Sequence, residues 1–411
     1  MGRRGAEVTW TAYLIRPMTG EVGAELSIAA SGKWSIDLND IEEFEVTVSK
    51  AQIRGIDPSW WRQWSGGVLI TKIGVDGTER PWVAGPVVDP PEEARETVTL
   101  TCRGIGAILE QRVVLAKDFL PGGSSASRAT AQELAESVVR RSGMSLGTIM
   151  QEVVKLSTDP KTGGYLPIRF ASPREVKSTL NERTYWGYNL ANNLAWKRLT
   201  ELSNVLKGPD FMFRPEWEDS TRTGVVWAMH HGTVAQPAIA QDWEMSLDTT
   251  APRGPLADVK VTHDGADVVN RVYWTGAGED QGTLVKVVQD LKRMREYVPL
   301  LETVGSTSDS DNPKLILEHA RARLRAGAEP LTQLTLVVDG DDERTELGHW
   351  HVGDLAAVTL AADEWLTLPG GTTRQRIIAA SGDFVSSKVK LDFQEDTDWY
   401  DDEEELVGDD V

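Results

Sequence analysis

Cysteine is almost missing from this chain of 411 residues: Cys102 stands alone. No intrachain disulfide can form and no Cys-x-x-Cys metal or redox site exists, so packing must hold the fold and a reducing cytosol is the expected folding environment. Long apolar runs are missing too, and nothing approaches the ~20 residues needed to span a bilayer. The opening residues Met1 to Ala6 are basic, but no apolar run follows them and Ala6 stands where a myristoylation signal wants Ser or Thr; no export signal is expected. No Gly-x-Ser-x-Gly elbow, His-Glu-x-x-His helix or Walker loop is assigned, so none of the enzyme classes built on these motifs is expected. Basic residues are in deficit, 43 Lys and Arg against 63 Asp and Glu, for a net charge of −20. Affinity for phosphates comes from clustered Lys and Arg, so the acidic balance argues against a protein that grips nucleic acid.

The negative charge is unevenly placed. Residues 395–411 hold ten acidic side chains and no Lys or Arg, so half of the excess lies in the last seventeen residues. A run such as "YDDEEELVGDD" repels itself and buries little, which predicts a disordered acidic tail, with a docking peptide as the alternative.

Hydrophobic patterning predicts a mainly β chain with α+β insertions: two small antiparallel β-barrels plus helix-containing peripheral domains. In residues 1–118, Trp34, Ile36 and Leu38, then Phe44, Val46 and Val48, alternate with polar residues as half-buried strands do. Asp76-Gly77 suits a tight hairpin, and with turns at Thr19-Gly20 and Gly66-Gly67 a first barrel is favoured over a parallel sheet. After the Gly/Ser-rich "PGGSSASRAT" an α+β peripheral domain is expected over 119–224. Thr130 and Glu133 make a capping box, Leu134 and Val138 lie one turn apart, and Gly143 can end that helix. Leu190, Leu194, Leu199, Leu202 and Val205 form an apolar stripe that predicts one long helix stopped at Gly208-Pro209. Return strands and the start of a second barrel are assigned to 225–290. A helical insertion is assigned to 291–329, with Asn312 as N-cap, Pro313 in the first turn and Gly327 at the end. The second barrel is completed over 330–394. "GGVLITKIGVDGTERPWVAGPV…TVTLTC" and "VGDLAAVTL…TTRQRIIAASGDF…SKVKLDF" share one order of strands and turns, which leaves duplication of one barrel and chance recurrence both open.

The stretch "TVTLTCRGIGAILEQR" at 97–112 looks like the strand, glycine turn and helix of a dinucleotide site. Leu109 stands where the third glycine should be and the strand belongs to an antiparallel series, so Gly104 and Gly106 are read as a tight structural corner and as interface candidates. His349 and His351 share a strand side but lack a third metal ligand, and His230 and His231 point to opposite faces. The acidic groups at 339–343 and 308–311 lack the order of a calcium loop and are read as polar turns. No cofactor, metal or catalytic residue is assigned. The fifteen Trp residues are unusual. Trp34, Trp82, Trp227 and Trp274 fall inside strand patterns as core or subunit packing, whereas Trp60, Trp61 and Trp64 follow Asp57-Pro58 on one helical turn and are candidates for an interface.

The runs "GKWSIDLNDIEEFEVTVSK", "RPWVAGPVVD", "TVTLTCRGIGAILEQRVV", "GPDFMFRPEW", "LILEHARARLRAG", "VGDLAAVTL" and "RQRIIAAS", in this order, resemble minor tail proteins of long-tailed (siphovirus) actinobacterial phages. These are the baseplate-hub, or tail-tip hub, family. The resemblance implies a non-enzymatic homotrimer in which two barrels per chain adapt the six-fold tail tube to a three-fold tip. Its implied partners are the distal tail protein ring, the tape measure protein and tip or fibre subunits, with DNA passing through the lumen unbound. It implies a place in the virion tail tip, after assembly in the host cytoplasm. The residues leave a second reading open, a Trp-rich carbohydrate-binding module of a tail or cell surface.

Overall fold

The computed structural model describes residues 10–119, 128–205, 207–239, 241, 244–251, 254–278, 280–292, 298–308, 310–328, 331–362, 364–366, 368, 370–395 and 407–408. Over these residues the chain is mainly β with α+β insertions.

The first β region contains strands β1 (Trp10–Ile15), β2 (Val22–Leu26), β3 (Ile28–Asp37) and β4 (Glu43–Ser49), the one-turn helix α1 (Lys50–Ile53), and strands β5 (Gly67–Ile73), β6 (Glu79–Pro86), β7 (Glu92–Glu93) and β8 (Thr97–Arg103). One sheet runs β2-β1-β5-β6 and a second contains β3-β4-β8-β7. Only Ser27 separates β2 from β3, so a nearly continuous strand passes from one sheet to the other. At the far side β6 meets β8 through a single bridge, Val87 to Cys102. Pro90 and Pro91 follow and carry no N–H, so the pairing cannot run on. Alternation puts Leu14, Val46, Val68, Ile70 and Leu100 inside one core.

The α+β unit follows the four-residue helix α2 (Gly106–Leu109). It contains α3 (Arg128–Glu136), β9 (Val138–Met144), α4 (Leu146–Thr158), β10 (Ile168–Phe170), β11 (Asn181–Trp186), α5 (Ala195–Ser203), β12 (Phe211–Trp217) and β13 (Val225–His231). Two expectations are corrected here. The helix expected from Thr130 to Gly143 stops at Glu136, because the Ser137 hydroxyl takes the Leu134 carbonyl at 2.7 Å and β-branched Val138 and Val139 pair with β11 instead. The long helix from Leu190 to Val205 is a 3-10 turn, Leu190–Asn192, and then the nine-residue α5. Asn193 donates its side-chain amide to the Trp186 carbonyl, and Leu194 takes extended dihedrals in a bridge to Val113, so the stripe is cut in two. Ile149, Val153, Leu199 and Trp227 form the unit's core, and Ile15, Leu69 and Ala84 from the outer face of the first region join it.

The second β region contains β14 (Met245–Asp248), β15 (Leu256–Asp264), β19 (Leu331–Asp339), β20 (Leu355–Leu360), β21 (Gly371–Asp383) and β22 (Lys388–Glu395). An insertion between β15 and β19 holds β16 (Arg271–Thr275), β17 (Val285–Gln289), β18 (Glu302–Ser306) and α6 (Pro313–Ala326). The insertion has its own sheet, β18-β16-β17, under α6, and its core is Val269, Val272, Val288, Ala320 and Leu324. As the sequence predicts, the Asn312 side chain accepts from Lys314 N and Leu315 N at the start of α6.

Thirteen-residue β21 decides the architecture. Its first half pairs with β20 and its second half with β3, while β22 lies along it, so the order is β15-β19-β22-β21-β3-β4-β8-β7. In place of two closed barrels, the described residues form one ten-stranded sheet that runs through both β regions, open at its ends. The two repeats of the internal echo differ accordingly: β20, β21 and β22 are fully paired, whereas β6 and β8 touch at one bridge. In the acidic end, Val407–Gly408 (β23) adds two residues to the edge of β17; residues 396–406 and 409–411 lie outside the described residues.

Candidate functional site

At the seam between the two β regions, buried charged and aromatic side chains converge. Ala379 to Asp383 of β21 run antiparallel to Lys33 to Asp37 of β3. Beneath the seam three indoles form a ladder: Trp34 meets Trp82 edge-on at 5.1 Å and Trp82 meets Trp350 at 5.8 Å. Each joins a different segment, so these rings bury large area exactly where the regions touch. That settles Trp34 and Trp82 as core, together with Trp227, whose indole N–H donates to the Ala84 carbonyl at 3.0 Å; Trp274 is half-buried in the insertion.

Charged groups add direction to the contact. Lys72 on β5 is 3% exposed; its ammonium donates to Gly340 O at 2.9 Å and to Asp341 at 2.6 Å, and Asp341 is 33% exposed. Nearby, Glu346 accepts from Val75 N at 2.5 Å. A second tie joins all three units: Asp210, at the start of β12, pairs with Arg376 of β21 and accepts from Asn39 at 3.0 Å, while Asn39 accepts from Phe211 N. None of these residues stands out in the sequence. Asp341 falls in the acidic run read as a polar turn, and only the fold reveals its cation. Over the seam, the polar face of the sheet forms an open groove of about 730 Å³. Lys33, Arg103, Lys388 and Lys390 line it beside Glu43, Glu45, Asp89 and Asp383, so neither sign prevails.

Gly104 and Gly106 sit at the exit from β8, both buried. A Cβ on Gly104 would lie 1.8 Å from the Glu42 carboxylate, and one on Gly106 would lie 2.5 Å from the Trp196 ring and 2.8 Å from Ile41. These glycines thus allow close approach between the first β region and α5 within one chain. Glu42 fills the space beside Gly104, and burial pushes its carboxyl up to about 8, with repulsion from Asp40 adding to the shift and a backbone hydrogen bond opposing it. A carboxyl raised in the folded state is protonated in both states below its unfolded value. Its contribution to stability is therefore full in acid and is lost as pH rises from about 4.5 to about 8. Glu42→Gln is expected to remove that loss: between pH 5 and 8 the unfolding free energy of the parent, from urea titration, should fall relative to that of the variant by an amount on the order of 3 kcal/mol. Parallel curves for the two proteins would contradict a buried neutral Glu42.

The Trp60, Trp61 and Trp64 group does not form one helical turn. Asp57 caps a 3-10 turn, Pro58–Trp60; Trp60 and Trp61 pack half-buried on the core, with the Arg16 guanidinium 4.2 Å from the Trp60 ring centre. Trp64, at φ +63°, is 42% exposed and is the outward-facing member. His231 is buried between Gln151 and the Gly232 carbonyl, and burial lowers its pKa; His230 faces Glu216 at 3.8 Å on the other side of β13. His349 lies 3.5 Å from Glu346, and no group of three or more His, Cys, Asp or Glu converges among the described residues.

The expectation that the chain has no Gly-x-Ser-x-Gly pattern is corrected here. Gly143-Met144-Ser145-Leu146-Gly147 is a Gly-x-Ser-x-Gly run, and it lies between β9 and α4, the strand-to-helix setting of a nucleophile elbow. Its geometry is different. Ser145 has φ −64° and ψ 158°, is buried, accepts from Thr148 N and donates to Thr148 Oγ1. It is an N-cap, and the imidazole of His231 is held by Gln151 and Gly232.

No protein-family model matches the chain, and no curated protein matches it in sequence. Solved structures do. A tail protein from Neisseria meningitidis superposes with a TM-score of 0.52 at 12% identity, over 94% of this chain and 97% of the other. The 43 kDa tail protein of prophage MuSo2 from Shewanella oneidensis gives 0.53 at 12% identity, over 94% and 98%. From the first β region through the insertion to β22, the chain therefore has the fold of these two tail proteins.

Proposed function

We propose that the chain is a non-enzymatic structural component of a phage tail, and within it the tail-tip hub. Three copies form a ring that adapts the tail tube and the distal tail ring to a three-fold tip, leaving a channel for DNA. The observation that carries this reading is the fold shared over 94% of the chain with two tail proteins of nearly the same extent. The seam supports it physically. A ring that transmits force between tube and tip needs its two β regions to move as one body, and a continuous sheet, three interlocked indoles and buried ion pairs make them so. The charge of −10 carried by residues 1–394 fits a channel that repels phosphates and leaves their counterions in place. The carbohydrate-binding alternative is weakened because Trp34, Trp82, Trp227 and Trp350 are spent on the core.

Native mass spectrometry of the full chain, alone and with the distal tail ring protein of the same phage, tests the reading. A trimer, formed alone or on the ring, is expected. A chain that stays monomeric in both conditions contradicts it.

A further inference from the structure

Strand β17 of the insertion differs from the edge strands β2, β7 and β15. An edge strand offers a row of unpaired N–H and C=O groups to any strand that passes, and proteins guard such rows with bulges, prolines, charges or short length. β2 meets β1 with a register shift between Tyr13 and Ile15. β7 is only Glu92–Glu93 and directly follows Pro90-Pro91. β15 has a register shift between Leu256 and Asp258 and carries Asp258, Lys260 and Asp264. β17 is Val285-Lys286-Val287-Val288-Gln289, with one charge, no proline and unbroken register against β16. Three β-branched residues in five favour strand pairing, and Val285 and Val287 are 48% and 38% exposed.

The chain's own end lies on this edge. Val407 is paired with Gln289 and Gly408 with Val288, antiparallel. In sequence, Leu406-Val407-Gly408 is the uncharged interval between the acidic run Asp401 to Glu405 and Asp409-Asp410, so the pairing falls where the end carries no charge to desolvate. Charge favours the same match. Residues 285–295 hold Lys286, Lys292, Arg293 and Arg295 against one acid, Asp290, in a chain of net charge −20, while residues 395–411 hold ten acids and no Lys or Arg. Opposite charges of this kind attract over roughly 10 Å at 0.1 M salt. A neutral strand from another protein would gain the main-chain bonds but not this attraction. Val407 stands twelve positions beyond Glu395, the end of β22, a reach of up to about 40 Å, so the end that covers β17 can belong to the same chain.

We propose that the β17 edge is a strand-docking site and that the acidic C-terminal end of the same chain is its resident ligand. Main-chain pairing at Val407 and Gly408 holds the end in place, the same register continued sets Asp410 across from Lys286, and the docked end keeps strands of other chains off β17. The site lies in one chain, so it does not rest on the trimeric hub.

The test is hydrogen exchange of the full chain, read by mass spectrometry over residues 285–290, in the parent and in the double variant Val407→Pro with Gly408→Pro. Two adjacent prolines cannot donate to β17 and leave the rest of the chain unaltered. A strand that binds at about 100 µM as a free peptide acts at about 1 mM when it belongs to the same chain, so exchange at β17 is expected to be about tenfold faster in the variant at low salt. Exchange in β15 should be the same in both proteins. A synthetic peptide of residues 399–411, added to the variant at about 1 mM, should restore the protection, and a peptide of the same composition in scrambled order should not. Equal exchange at β17 in parent and variant, or equal rescue by the scrambled peptide, overturns the proposal. So does protection in the parent that falls on dilution, because the occupant is then the end of a second copy. A monomeric chain with β17 protected would sink the hub reading and leave this one standing, and a trimer with β17 unprotected would do the reverse.

Discussion

Asp341→Ala is expected to destabilise the chain by about 3 to 5 kcal/mol, and Lys72→Met by about 1 kcal/mol or less. The asymmetry follows from burial. Removing the carboxylate strands a 3% exposed ammonium between β5 and the turn after β19, where only the Gly340 carbonyl remains to receive it. Removing the lysine instead leaves a carboxylate one-third open to water, and methionine fills the vacated space and can pack on Trp10, over whose ring the ammonium now lies at 5.1 Å. Urea midpoints of the two variants measure the difference directly. Equal losses, or a larger loss for Lys72→Met, would mean that the ion pair does not tie the two β regions together.

Gly106→Ala is expected to cost about 2 to 3 kcal/mol, although alanine is the better helix former. The favourable term is small, because α2 has only four residues and Gly106 is its first. The opposing contact is severe: the new methyl would lie 2.5 Å from an indole held by Phe211 and Phe213, which cannot swing away. Trp196→Ala is itself costly, about 3 to 5 kcal/mol, but in its background Gly106→Ala should cost less than about 0.5 kcal/mol. Additive losses in the double variant would show that the strain lies elsewhere. Gly104 is the weaker case, since its neighbour is the movable end of Glu42.

Strand patterning was readable because alternation is a local signal: Trp34, Ile36, Phe44, Val46 and Val48 are inward as expected. The helix from Pro313 to Ala326 was readable because its cap, its proline and its closing glycine lie next to one another in sequence. The joining of β3 to β21 was not, since pairing between residues 33–37 and 379–383 is set by the whole fold and leaves no mark in either strand. Local competition defeated the long helix, where Asn193 offered the backbone a partner outside it. Gly104 and Gly106 were read as a corner from local sequence alone, whereas the side chains for which they leave room, Glu42 and Trp196, are distant in sequence. The seam's ions were illegible for the same reason: Lys72 and Asp341 are 269 positions apart. The Gly-x-Ser-x-Gly run shows the converse hazard, a motif in the right setting whose serine is occupied as a helix cap.

An electron-microscopy reconstruction of tails that carry this chain tests the central claim most directly. The account predicts three copies in a closed ring at the tip, with acidic or small polar side chains facing the channel. Any other copy number at the tip, or a ring of Lys and Arg lining the lumen, would contradict it.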